Sequence, residues 1–330
     1  MKKIKLNTVI TIFSFILIII GFYFLFRNGD WNKIVSIKDK INYWGLAGIA
    51  VLVTFCQFLV IFRWYLLLIP IKNGISLRSI FRIAINAIVL NHTAPGKVGY
   101  PTKAYFLKKM ENIPISSSIP SLFGELFLDY SVTGALFLTT ALIGGYFEMI
   151  FKLLSNYIDI RNIWIVALAV ILFGVLSILL KQRLQSSKIV KNVIAAIQLT
   201  RRRSDIIFWS ITITIIYLFV WFVSDYLLLV SLGYRLPLNF LIFVGAFTNI
   251  VVLLAPLPGG LGVREITGAY LFKVFYNLGE VAVVLILLSR LFSLLALVLL
   301  YFGERIVELI NYNKKLVNEV TNPEISSHIS

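Results

Sequence analysis

Residues 91–110 read NHTAPGKVGYPTKAYFLKKM, a polar segment broken by proline and glycine within a mostly apolar chain. The helix-like run IFRIAINAIVL at 80–90 comes directly before it. A second break of the same kind, APLPGGLGVRE, begins at residue 255 and also follows an apolar run. The fold depends on whether these two breaks cross a membrane or turn back inside it.

The composition is that of an integral membrane protein. Hydrophobic residues make up 59% of the 330 residues and charged residues 14%, against about 45–50% and about 25% in soluble domains. Runs long enough to span a bilayer lie near 8–26, 43–69, 115–147, 163–180, 206–232 and 280–302. The first run follows MKKIK, but it is too long for the apolar part of a signal peptide, so we expect a retained helix.

The formal net charge of +16 predicts the orientation of the chain. The connection at 181–205 contains seven Lys/Arg and one acid, which indicates a cytoplasmic loop. We therefore expect a multi-pass protein of the cytoplasmic cell membrane with both termini inside, and no nucleic-acid partner. The six spans leave both termini inside only if two further regions do not cross the membrane. These regions, at about 78–108 and about 238–276, would enter the membrane and return on the same side. Broken backbone at membrane depth is tolerated only where protein or a water-filled cavity covers it.

The two broken regions resemble each other. PGKVG at 95–99 corresponds to PGGLG at 258–262, and RWYLLLIP at 63–70 corresponds to SDYLLLVS at 224–231. Glu125 follows the first break by nearly the same distance as Arg290 follows the second. The sequence therefore predicts an all-α polytopic protein with about six full spans and two re-entrant hairpins. We expect one transmembrane domain over 1–305, with inverted repeats at about 43–147 and 206–302, and a short cytoplasmic tail at 306–330.

The breaks suit anion binding. A half-helix that begins at proline and glycine presents free N–H groups and a partial positive charge to a ligand. The alternative is that the breaks only shape the packing of tilted helices. The predicted substrate-binding residues of the two repeats are Asn91, Pro95, Gly96, Lys97, Gly99, Lys103, Asn249, Pro258, Gly259, Gly260, Gly262 and Arg264.

Ionisable residues also occur inside the apolar spans, where charge is costly and usually faces the protein interior or another charge. Those predicted to act in a charge relay or in ion pairing are Glu125, Asp129, Asp225, Glu265 and Arg290. For Glu125 and Asp129, a proton or cation relay, a magnesium site for a lipid diphosphate and simple ion pairing remain open. We expect Arg63 to extend from its helix end toward water. No catalytic residue, protein-bound metal or cofactor is predicted.

These motifs carry a family resemblance. NHTAPGKVGYPTKAYFL, GELFLD and PLPGGLGVRE resemble the lysylphosphatidylglycerol synthase transmembrane-region family, also called the flippase-like domain family, over about 8–305. The resemblance implies the movement of a polar-headgroup lipid between leaflets. It carries the site over to the same positions except Lys97 and Asp225, together with Pro256. The chain has Lys97 and Lys103 where the family often has glycine and arginine. No aminoacyl-transferase domain follows Ile306, so we expect a standalone member that does not synthesise lipid.

The expected function is a lipid flippase or transporter for a phospholipid, an aminoacylated phospholipid or a polyprenyl-phosphate-linked lipid. An intramembrane enzyme acting on a lipid-linked phosphate or sugar is one alternative. A non-transporting scaffold for a separate envelope-biosynthesis enzyme is another. Membrane lipids are the expected partners in each case.

Overall fold

The computed structural model describes residues 43–72, 74–93, 98–148, 198, 202–254, 260 and 262–321. Eight helices carry this part of the fold: α1 Tyr43–Leu68, α2 Leu77–Thr93, α3 Gly99–Glu111, α4 Ile115–Ile143, α5 Ser204–Ser231, α6 Leu238–Leu254, α7 Val263–Tyr276 and α8 Gly279–Thr321. The prediction of an all-α protein is confirmed for the described ranges.

Four of these helices are long and apolar enough to cross a membrane: Trp44–Leu68, Ile115–Ile143, Ser204–Ser231 and Gly279–Val307. They correspond to four of the six predicted spans. The other two, 8–26 and 163–180, lie outside the described residues. Helix α8 continues to Thr321, although its apolar run was predicted to end near 302. The sequence that follows keeps apolar residues at helical spacing, including Ile306 and Ile310, so the helix is not interrupted.

The helices follow the same order twice: a long helix, a helix of 17 residues, a shorter helix and a second long helix. Helices α3 and α7 also end alike, since Asn112 and Asn277 both have φ of 54°. Asparagine tolerates the left-handed conformation at a helix end. Each donates its backbone N–H to a carbonyl of the last turn, Leu107 O and Lys273 O respectively. The shared ending adds a local signature to the predicted duplication.

Both broken pairs form hairpins whose outer ends lie together. Lys72, just before α2, donates to the Glu111 carbonyl oxygen at the end of α3 over 2.8 Å. In the second repeat, the ring centroids of Phe240 near the start of α6 and Tyr276 at the end of α7 are 4.7 Å apart. Each hairpin therefore returns to the side on which it started, as the sequence predicts.

The two repeats run in opposite directions because α1 and α5 pack antiparallel. Toward the end of α1, Arg63 donates to Thr214 of α5 over 2.9 Å, and near its middle the Cys56 thiol donates to the Tyr217 carbonyl over 3.5 Å. Near the start of α1, Ile49 belongs to the same buried cluster as Leu229. Residue numbers thus rise along one helix as they fall along the other.

The helix packing has a pseudo-two-fold pattern. Helix α1 contacts its counterpart α5 directly, while α4 packs on α6 as α8 packs on α2. Likewise α1 packs on α8 as α5 packs on α4, and α3 packs on α4 as α7 packs on α8. If each helix is replaced by its counterpart in the other repeat, every one of these contacting pairs therefore becomes another contacting pair. Because α1 and α5 are antiparallel, the axis lies across these helices, which is the inverted arrangement.

Candidate functional site

A buried ion cluster joins the three helices α1, α3 and α4 of the first repeat. The Lys103 ammonium lies 2.7 and 2.9 Å from the two carboxylate oxygens of Glu125. Both residues are only 3% exposed. The ammonium also lies 4.4 Å from the ring centroid of Trp64 and 5.5 Å from that of Tyr100, within the range of cation–π attraction. Lys103 is thus fully engaged inside the protein.

Arg63 completes this group, which we call the first ion cluster: Arg63, Lys103, Glu125 and Asp129. Its guanidinium makes a two-point contact with Asp129, the second bond being 3.1 Å. It also lies 3.8 Å from Glu125, and the Tyr217 hydroxyl donates to Asp129. Arg63 is 0% exposed, so the expectation that it extends toward water was wrong. Its position near a helix end is covered by α4 and α5, which supply the carboxylates and the hydroxyls.

The second repeat has a buried ion pair at the corresponding place. Glu265 of α7 and Arg290 of α8 approach to 2.8 Å between Oε1 and Nε. The Nε–H is not directed at that oxygen, so the contact is an ion pair without an aligned hydrogen bond. Glu265 also accepts the Gly262 N–H through Oε2 at 2.8 Å, and Arg290 donates to the Gly260 carbonyl at 3.1 Å. This pair fixes the start of the second half-helix.

The glycines at this turn are required by geometry. Gly260 and Gly262 have φ of 64° and 79°, values that other residues rarely adopt. A Cβ on Gly260 would also meet Val252 Cγ1 at 2.5 Å. The same glycines bring the backbone N–H and carbonyl groups within reach of Glu265 and Arg290.

The ion pairs of the two repeats have opposite polarity. In the first, the half-helix α3 carries the cation Lys103 and the following span carries the anion Glu125. In the second, the half-helix α7 carries the anion Glu265 and the following span carries the cation Arg290. Each hairpin is therefore fastened to its next span, but the repeats are not chemically interchangeable.

A cavity of about 40 Å³ lies between α5, α6, α7 and α8. We call it the polar cavity because five polar side chains interrupt its otherwise apolar lining: Asp225, Thr248, Asn249, Arg264 and Ser289. The Arg264 guanidinium donates to the Asn249 side-chain oxygen, and the Ser289 hydroxyl donates to Asp225 Oδ1 over 2.7 Å. Within the described ranges, neither Asp225 nor Arg264 has an oppositely charged group within 4 Å.

The first ion cluster and the polar cavity lie at different depths. Arg63 and Asp225 are each about 11 Å from the midpoint of their own helix, toward its C-terminal end. Since α1 and α5 are antiparallel, these positions fall on opposite sides of the molecule's centre. The described residues thus form two polar sites rather than one shared site.

The predicted site residues are only partly described. Pro95, Gly96, Lys97, Pro256, Pro258 and Gly259 lie outside the described residues, and Asn91 lies in α2 without a described side chain. The anion-binding role of the two hairpin tips therefore stays a prediction. Asn249 and Arg264 are brought together, whereas Lys103 lies in the other site. Thr214, Tyr217 and Ser289 were not predicted; their polarity inside apolar spans was the available signal.

The described fold defines a class of protein: a multi-pass membrane protein in which two inverted repeats each hold a re-entrant helix hairpin against the following span. The family Lysylphosphatidylglycerol synthase TM region matches residues 11–300 of the chain. The chain belongs to this family, which connects its function with membrane lipids. No curated protein and no solved structure was matched.

Proposed function

We propose that the protein is a transporter that moves a lipid with a polar headgroup between the two leaflets of the cell membrane. The observation that carries the proposal is the polar cavity beside the start of α7, lined by Asp225, Asn249 and Arg264 in otherwise apolar surroundings. Membership of a lipid-related family and the inverted hairpin architecture, which secondary transporters use to build sites from broken helices, give further support.

The headgroup contact would use the start of the half-helix. Arg264 is the second residue of α7, and the first turn of that helix has backbone N–H groups without a partner within the helix. Full and partial positive charge then favour a phosphate group at the same place. The lipid tail would stay in the bilayer, because the cavity is too small for an acyl chain. The predicted ligands at the hairpin tips, Lys97 and Pro258 among them, belong to the same proposal.

The first ion cluster has a different role in this scheme. Its two cations and two carboxylates neutralise one another in a buried site. Lys103 would bind a headgroup only in another arrangement of α3, in which Glu125 releases it. Alternating access between two such arrangements is expected for inverted repeats.

The enzyme alternative has less support from the geometry. General acid–base catalysis or metal binding would need Glu125 and Asp129 to be available, but Lys103 and Arg63 hold them. Among the described residues, no three His, Cys, Asp or Glu side chains are grouped as metal ligands. A scaffold would not need a polar cavity in its membrane domain.

Replacing Arg264 with glutamine should slow lipid movement by tenfold or more. The change removes a charge-assisted contact worth roughly 1.5–3 kcal/mol. Proteoliposomes containing fluorescent phospholipids would be assayed for the rate at which inner-leaflet lipid reaches the outer leaflet. Lys273→Gln is the matched control, because Lys273 is exposed on the same helix. Equal rates for the wild type, both variants and protein-free vesicles would refute transport, and chemical modification of the lipid would favour the enzyme.

The proposed orientation places the opening of the first hairpin in the cytoplasm and that of the second outside. A cysteine at Asn112, exposed after α3, should react with a membrane-impermeant maleimide only from the cytoplasmic side. A cysteine at Arg235, exposed before α6, should react only from outside. The wild type is the blank, since Cys56 is 0% exposed. Labelling of both positions from one side would contradict the inverted arrangement.

A further inference from the structure

We propose that the polar cavity selects a zwitterionic phospholipid headgroup, a phosphodiester with a primary ammonium two carbons away, in which Asp225 binds the ammonium and Arg264 the phosphate. The inference rests on the proposed function in taking the cavity as the headgroup site. It adds the class of lipid, which the fold and the family leave open.

The Asp225 carboxylate has no ion-pair partner among the described residues. Of the eight other described carboxylates, six lie within 4 Å of a cation, those of Glu111, Glu125, Asp129, Asp205, Glu265 and Glu304. The other two, Glu148 and Glu280, are exposed or partly exposed. Asp225 lies inside an apolar span and has no such partner among the described residues. Its hydrogen-bond partner is the Ser289 hydroxyl, and the Trp221 side chain lines the same cavity. A carboxylate at that depth is costly without a cation.

The Arg264 guanidinium, the cation of the polar cavity, likewise has no oppositely charged partner among the described residues. Its partner is the neutral side chain of Asn249, and no described carboxylate pairs with it. Arg264 and Asp225 line the same cavity, yet they do not form an ion pair. A ligand with one negative and one positive group would satisfy both, whereas an anionic headgroup would leave Asp225 unpaired and would be repelled by it.

The size of the cavity limits the ammonium group. At about 40 Å³, it has room for about three water molecules, since each requires about 10–15 Å³ of such volume. An aminoethyl group fits this space, whereas a sugar or an amino acid esterified to the headgroup would have to extend beyond it. A primary ammonium also supplies three N–H donors for Asp225 and the Ser289 oxygen, which a quaternary ammonium lacks.

The test is lipid selectivity in binding, measured separately from transport. Purified full-length protein would be titrated in detergent micelles with phosphatidylethanolamine, phosphatidylglycerol, phosphatidylcholine or lysyl-phosphatidylglycerol, with bound lipid read by native mass spectrometry. The wild type should bind phosphatidylethanolamine at least tenfold more tightly than each of the other three. Asp225→Asn should bring phosphatidylethanolamine and phosphatidylglycerol to equal affinity. Asp205→Asn is the control on the same helix, since Asp205 is exposed, and it should keep the preference.

Selectivity of the wild type does not depend on the folding of any variant. Equal wild-type binding of phosphatidylethanolamine and phosphatidylglycerol, or tighter binding of lysyl-phosphatidylglycerol, would overturn the inference. So would a preference that persists in folded Asp225→Asn. Selective binding without lipid movement in proteoliposomes would instead refute only the transporter function, while lipid movement without selectivity would refute only the proposed headgroup.

Discussion

Replacement of Lys103 with methionine should destabilise the protein by about 3 kcal/mol. The change leaves Glu125, which is 3% exposed, as a buried carboxylate without its nearest cation, and breaking one partner of such a pair costs about 3–5 kcal/mol. The lower end applies because Arg63 remains 3.8 Å away. Unfolding of the purified protein in detergent would measure the loss. Lys108→Met is the control, since Lys108 is exposed on the same helix.

The double variant Lys103→Met with Glu125→Gln should recover most of this stability, because it removes both charges together. A single variant as stable as the wild type would show that the pair is hydrated or does not form. A double variant no better than the single one would show that packing against Trp64 matters more than charge.

A larger loss is expected when Arg63 is replaced with methionine, about 4–5 kcal/mol. Asp129 would lose a two-point contact and Thr214 a donor, and two carboxylates would then share Lys103 alone. Arg63→Lys should fall between the wild type and Arg63→Met, because an ammonium cannot match the carboxylate at two points. Denaturant unfolding in detergent micelles would measure all three proteins.

Two further variants decide the cause of that loss. Arg63→Met combined with Asp129→Leu should be more stable than Arg63→Met alone, since no uncompensated carboxylate remains at that position. Arg202→Met, at an exposed position, should have little effect. If Arg63→Lys matched the wild type, the planar geometry of the guanidinium would be irrelevant and the assigned contact wrong.

Much of the fold could be predicted from the sequence because the signals are local. Long, mostly apolar runs indicate α1, α4, α5 and α8, and the breaks near Pro95 and Pro258 indicate the hairpins. The inverted order is then predicted from the single span expected between the repeats, at 163–180. The continuation of α8 to Thr321 was missed because hydropathy reports where a membrane ends rather than where a helix ends.

The pairing of charges was harder to predict because it depends on packing between distant helices. Arg63 lies five residues before Leu68, the last residue of α1, which suggests access to water, yet α4 and α5 cover it. In the sequence, nothing distinguishes Asp225 and Arg264 from the other charged residues predicted to be buried. Only the structure shows that they line a cavity. The separation of the first ion cluster from that cavity likewise depends on the antiparallel crossing of α1 and α5.

That antiparallel crossing also sets an order of events during biosynthesis. Asp129 lies 66 residues after Arg63 and Thr214 lies 151 residues after it. At about 5–20 residues per second, the carboxylate is synthesised roughly 3–13 s after Arg63 and the hydroxyl roughly 8–30 s after it. Until α4 is made, helix α1 therefore remains in the insertion machinery or the bilayer, and its Arg63 guanidinium has no Asp129 carboxylate to neutralise it. The nascent chain depends on early association of α1 with α4, before the second repeat exists to enclose them.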